Sequence, residues 1–123
     1  MKLKATNRTP EVDITENTCL IVGECYPENI AEFASPIFSN LRTCLDKADA
    51  FEVRIHLFYF NSSSAKFLFD LFDLLDESAK GGKEILIRWL YRSDDDSMQE
   101  AGEDFLEDVE YALFELESVI NEE

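Results

Sequence analysis

The stretch FEVRIHLFYFNSSSAKFLFDLFDLLDESAKGG, residues 51–82, decides the fold. Its opening alternates: Phe51, Val53, Ile55, Leu57 and Tyr59 share one face. Glu52, Arg54 and His56 share the other, until Phe58 and Phe60 make that face apolar too. This period of two predicts a strand that is half-exposed at its start and buried at its end. After Asn61 and three serines the period changes. Leu68, Leu71, Phe72 and Leu75 recur at helical spacing, widened by Phe67, Phe69 and Leu74, and Gly81-Gly82 stops the helix. A helix with so broad an apolar face needs something broad to lie on, and a sheet answers.

The flanking segments repeat the alternation of element types. EVDIT (11–15) and TCLIVG (18–23) are short strand patterns separated by ENT, which predicts a hairpin. GECYPEN (23–29) reads as a loop, because Gly and Pro punctuate it. From Ile30 to about Ala48, Phe33, Ile37, Leu41, Cys44 and Leu45 have helical spacing; Pro36 predicts a kink or a delayed start. EILIRWLYR (84–92) is another strand. SDDDSMQEAGEDFLEDVEY (93–111) holds a third helix, capped by one of Asp94–Asp96 or by Ser97, with Gly102 unexplained inside it. ALFELESV (112–119) reads as a last strand or as a continuing helix. Residues 1–9 read as a loose arm. Strands separated by single helices give an α/β fold. The expected architecture is one domain over residues 1–123, a mixed sheet of four to five strands with about three helices on it.

Charge is unevenly placed in this chain of net charge −16. From Asp94 to Glu123 there are 13 acids and no Lys or Arg; the first 93 residues hold 14 acids against 11 bases. Such a surface repels nucleic acid. It serves either as a solvated face or as a docking surface for a basic partner. No apolar run approaches membrane-spanning length, the N-terminus lacks the pattern of a signal peptide, and the expected location is the cytoplasm. Cys19, Cys25 and Cys44 are odd in number and lack a C-x-x-C spacing, which fits reduced thiols rather than disulfides or zinc.

Catalytic chemistry has little to work with. His56 is the sole histidine, so any Ser-His or Cys-His pair must use it, and nothing places a nucleophile beside it. No phosphate-binding glycine loop is present. DDDSMQEAGEDF fails the EF-hand pattern, with Gln99 where Gly is needed and Phe105 where Glu is needed. Neither a metal nor a cofactor is expected. Cys25 reads as a structural thiol. The serine run remains. It stands at the carboxyl end of a parallel strand and the amino end of a helix, the edge where α/β proteins place their sites. Capping needs one serine. Three, with Lys66 one turn behind, also offer a phosphoryl group free backbone N–H donors and the positive helix end.

Several short motifs, in order and spacing, carry a resemblance. They are Thr9-Pro10, GECYPEN, YFNSSSAK (59–66), RWLY with Trp89 and Tyr91, and the acidic helix DDDSMQEAGEDFLED. Together they resemble the SiaC family of bacterial regulatory phosphoproteins, whose fold is similar to that of STAS domains such as the anti-anti-sigma factor SpoIIAA. The resemblance implies a non-enzymatic protein that binds and activates a diguanylate cyclase when unphosphorylated, raising cyclic di-GMP and promoting aggregation or biofilm. It implies a dedicated SiaB-like kinase and a SiaA-like PPM-type phosphatase as further partners. The acceptor carried over by position is Ser62, where the family has Thr; Ser63 is the second candidate, expected as the helix cap. Asn61, Ser63, Ser64, Lys66, Tyr26, Pro27, Glu28, Asn29 and Tyr91 are the implied partner-binding residues. Cys25 stands where the family has Ser, and a thiol gives a weaker hydrogen bond. The alternative function is a STAS-type anti-sigma factor antagonist.

Overall fold

The computed structural model describes residues 1–120. In chain order the elements are β1 (Lys2–Leu3), β2 (Glu11–Ile14), β3 (Thr18–Cys25), α1 (Ile30–Lys47), β4 (Ala50–Phe60), α2 (Ser62–Lys80), β5 (Glu84–Arg92), α3 (Asp96–Asp108) and β6 (Leu113–Val119). The strands form one six-stranded sheet in sequence order. The pairs β1–β2 and β2–β3 are antiparallel, and β3 to β6 run parallel. Each parallel step passes through one helix and moves one strand in the same direction. Right-handed crossovers therefore put all three helices on one face. Ile21, Val53, Ile55, Ile87 and Trp89 point to that face and are fully buried against Leu41, Leu68 and Phe105 of the helices. Among the described residues no layer covers the opposite face.

The class is the α/β arrangement expected, and ALFELESV is a strand, but several details differ. The sheet has six strands rather than four or five, because the N-terminal arm is not loose throughout. Lys2 and Leu3 pair with Asp13 and Val12, and the Met1 amino group donates to the Ile14 carbonyl at 2.9 Å. GECYPEN is only partly loop, since Gly23–Cys25 continue β3. Gly23 has φ +132°, and a Cβ there would meet the Pro10 Cα at 3.3 Å. Helix α1 starts at Ile30 and runs through Pro36. Asn29 accepts from the Glu32 N–H at 3.1 Å and fixes that start, so Pro36 lies inside the helix and does not delay it.

The largest departure lies at the end of β4. Leu57 pairs with Gly23, but Tyr59 pairs with Glu24, so Phe58 is an extra residue in the ladder. One extra residue reverses the alternation beyond it. Phe60 takes the core face, its ring 6.3 Å from both Trp89 and Phe105. Tyr59 leaves it and is 50% exposed. The expected buried end of this strand is therefore an exposed aromatic edge.

Asp76 ties the far end of α2 to the segment before β6. Its carboxylate accepts from the backbone N–H groups of Tyr111 (2.7 Å), Ala112 (2.9 Å) and Glu110 (3.2 Å). Burial raises its pKa, but the three donors outweigh that and hold it below the ordinary 3.8. Asp76→Asn should cost about 1–2 kcal/mol at neutral pH, a value kept low by solvent screening. A depressed folded pKa gives stability that is complete above the ordinary value and lost as pH falls through the folded one. The gap between wild type and variant, followed by denaturant titration, should close below pH 3.8. A gap independent of pH there would contradict the anchor.

Candidate functional site: the carboxyl edge of the parallel strands

The β3–α1 loop and the β4–α2 junction lie together at the carboxyl edge of the sheet. At the junction Asn61, not Ser63, caps α2. Its side chain accepts from the Ser64 N–H at 3.0 Å, and its carbonyl accepts from the Ala65 N–H at 2.9 Å. The expectation that Ser63 caps the helix is thus corrected, because Asn61 alone has the extended backbone a cap requires. The three serines are the first residues of the helix and face three ways. Ser62 and Ser63 are exposed, whereas Ser64 is completely buried. Helical spacing aligns Ser62 with Lys66, Phe69 and Asp73 on the solvent stripe. Ser63 is turned toward the side of Phe67, whose ring packs on Phe33 and Phe38 of α1.

The electrostatics of this helix end stand out in so acidic a chain. The first turn of α1 carries Glu32 and that of α3 carries Asp96, but the first turn of α2 holds no acid. The Ser62 and Ser63 N–H groups have no helical acceptor, and the positive end of the helix is left uncompensated. Lys66 adds a cation one turn along. It pairs with Asp70 at 3.2 Å, yet its side chain is 79% exposed, so this surface pair is weak and easily exchanged.

The β3–α1 loop is braced from the N-terminal segment. The Tyr26 N–H donates to the Arg8 carbonyl at 2.7 Å, and Arg8 Nη1 meets Glu28 Oε1 at 3.0 Å. The Arg8 guanidinium lies 6.0 Å from the centre of the Tyr26 ring. Tyr26 in turn meets Tyr59 edge-on, with ring centres 5.6 Å apart. This contact joins the loop to the serine junction. Arg8 and Tyr59 are absent from the sequence-derived set; the turn that returns Arg8 to the site and the irregularity that everts Tyr59 leave no pattern in one sequence. Of the expected set, Pro27 is half-buried, Glu28 and Asn29 are exposed, and Asn29 is occupied as the α1 cap. Tyr91 is half-buried on β5 and packs against the core; among the described residues it makes no hydrogen bond to the serine turn. The Ser64 side chain is core and has no exposed surface to offer a partner.

Ser64 lies beside Cys25. Burial pushes the Cys25 thiol up, and the Ser64 hydroxyl beside it works against that. Ser64 Oγ is buried and has no hydrogen-bond partner among the described residues, so its influence on the thiol is slight. Burial also pushes Cys19 up to about 12, with Asp13 and Cys44 adding to it. Neither thiol is a nucleophile at neutral pH. Iodoacetamide should leave Cys19 and Cys25 unmodified in the native chain and label all three cysteines once it is denatured; rapid native labelling of Cys25 would reopen a thiol chemistry here. The His56 imidazole is held below its ordinary value by burial and then by Arg92, so it is neutral at physiological pH. Among the described residues no group of three His, Cys, Asp or Glu could hold a metal ion, and no helix is long and apolar enough to cross a membrane.

Comparison with known proteins places this geometry. Residues 3–119 match the family described as SiaC family regulatory phosphoprotein. An uncharacterized protein of Pseudomonas aeruginosa (strain UCBPP-PA14) is 30% identical over 114 residues, covering 90% of each chain. The crystal structure of apo-SiaC from Pseudomonas aeruginosa superposes with a TM-score of 0.86 at 26% identity, covering 96% of this chain and 98% of that one. The complex of the diguanylate cyclase SiaD with its activator SiaC, from the same organism, superposes with a TM-score of 0.87 at 27% identity, covering 94% and 98%. The chain belongs to the SiaC family of regulatory phosphoproteins.

Proposed function

We propose that the chain is a non-enzymatic, cytoplasmic phospho-switch that activates a diguanylate cyclase, and that phosphorylation of Ser62 releases it. The observation that carries this reading is the start of α2: an exposed hydroxyl at a helix end with no acid in its first turn, in a chain of net charge −16. SiaC of Pseudomonas aeruginosa is the activator of the cyclase SiaD, and this chain shares its fold over nearly its whole length. Ser62 is preferred to Ser63 because it shares the solvent stripe with Lys66 and Phe69. A dedicated kinase would add the phosphoryl group, and a PPM-type phosphatase would remove it. The contact surface combines Tyr26, Pro27, Glu28, Asn61, Ser63 and Lys66 with Arg8 and Tyr59. Asn29 and Ser64 shape it from within, and Tyr91 supports it from β5.

A phosphate at Ser62 brings roughly −1.5 to −2 charges. At a helix N-terminus it gains about 0.3–1 kcal/mol, so the domain itself does not unfold. The switch therefore acts between molecules. A partner seated on Tyr59 and Phe69 must strip water from the dianion, which costs several kcal/mol. Intact mass of the chain from its native host, before and after phosphatase, tests the modification. A mass that phosphatase never changes, under any growth condition, would remove the reading.

A further inference from the structure

We propose that the outer edge of β6 is a docking site for an extended, basic segment of another protein, which adds to the sheet as a further strand. The two edges of this sheet are built differently. β1 is two residues long, carries Lys2 and is tied down by the Met1 amino group. Short, lysine-bearing edges resist strand addition. β6 is seven residues long and pairs with β5 in unbroken register from Leu113 to Val119. Among the described residues nothing pairs with its other side.

The backbone polarity of that side follows from one hydrogen bond. The Val119 carbonyl accepts from the Ser93 N–H at 2.9 Å, so residue 119 aims its polar groups toward β5. In a parallel ladder the direction alternates along the strand. Phe114, Leu116 and Ser118 therefore present their N–H and C=O groups outward, unpaired. Around them stand apolar side chains exposed to water: Leu113 at 59% and Ile120 at 80%. The strand's own charges are acidic, although Glu117 already meets Arg88 of β5 at 3.4 Å. Glu115 and Glu117 are exposed on the strand itself, and from Asp94 onward the chain has no Lys or Arg. Charge selects the occupant. Two copies of β6 set side by side would oppose Glu115 and Glu117 to themselves, whereas a strand alternating Lys or Arg with apolar residues pairs with both the acids and the leucines. This edge is distinct from the serine turn, and the inference holds whether or not Ser62 is phosphorylated.

The test uses the full chain and a synthetic peptide of alternating valine and lysine, with an alternating valine and glutamate peptide as control. Amide hydrogen exchange should slow at Phe114, Leu116 and Ser118 with the basic peptide, not with the acidic one, and added salt should weaken the effect. Ser118→Pro removes an outward donor while leaving the β5 ladder intact, and should weaken binding about tenfold or more. Glu115→Lys should weaken it as well, in a chain whose circular dichroism is unchanged. No protection at about 1 mM peptide, protection confined to other amides, or wild-type binding by both variants would overturn the proposal. So would protection that grows with protein concentration in the absence of peptide, which would show that a second copy covers the edge.

Discussion

Gly102→Ala should destabilise the protein by about 2 kcal/mol, although alanine is the better helix former. Position 102 lies in the interior of α3, where exchanging Gly for Ala ordinarily gains about 1 kcal/mol. Here the added Cβ would lie 2.5 Å from Trp89 Cδ1, 2.7 Å from its Nε1 and 2.8 Å from Leu116 Cδ2. The indole has nowhere to go. It is buried, it donates from Nε1 to the Met98 carbonyl at 2.9 Å, and the rings of Phe60, Phe72 and Phe105 surround it. Overpacking of this kind costs about 1–3 kcal/mol, and three contacts at once sit at the upper end. Denaturant unfolding decides by sign: stabilisation by about 1 kcal/mol would mean that α3 stands off the sheet. Trp89→Phe in the same chain should relieve part of the loss, as a coupling of about 0.5 kcal/mol or more between the two sites.

Ser62→Asp should weaken binding to the cognate diguanylate cyclase by about a hundredfold, a loss of roughly 2.7 kcal/mol. The variant places a buried charge where the partner is expected to cover the start of α2. Its fold should be unaffected, because a carboxylate in the first turn suits the helix end. Ser62→Ala should bind like wild type and resist the kinase. Ser63→Asp is the comparison: Ser63 borders the contact surface but is turned toward Phe67 and α1, away from the stripe of Lys66 and Phe69, so its variant should cost less than Ser62→Asp. If Ser63→Asp abolishes binding and Ser62→Asp does not, the acceptor is Ser63, and the alignment of Ser62 with Lys66 and Phe69 carries no functional weight.

The fold was largely legible because its signals are periodic. Strand and helix patterns at 51–60 and 67–75 each bury one face, and that requirement fixes the α/β order. What stayed hidden depends on contacts distant in sequence. Gly102 is an oddity in one dimension and a necessity once Trp89 lies beneath it. Tyr59 and Phe60 exchange faces because one residue of β4 is extra, which alternation cannot reveal. Lys2 and Leu3 pair with β2 through backbone, which carries no composition signal. The placement of the serine run at a strand-to-helix junction, beside the loop that carries Tyr26 and Glu28, was legible from the change of period and from the Gly and Pro of that loop. Arg8 was not, since a turn at Thr6–Thr9 returns it to the loop. That Ser64 is the inward serine was not legible, because a run of three serines does not say which one faces the core.

The central claim is that one phosphoryl group at Ser62 separates an activating chain from an inert one. The direct measurement compares cyclic di-GMP production by the purified cyclase titrated with unphosphorylated chain and with chain stoichiometrically phosphorylated at Ser62. The account predicts activation that saturates with the first, none with the second, and full recovery after phosphatase treatment. Equal activation by both forms would contradict it.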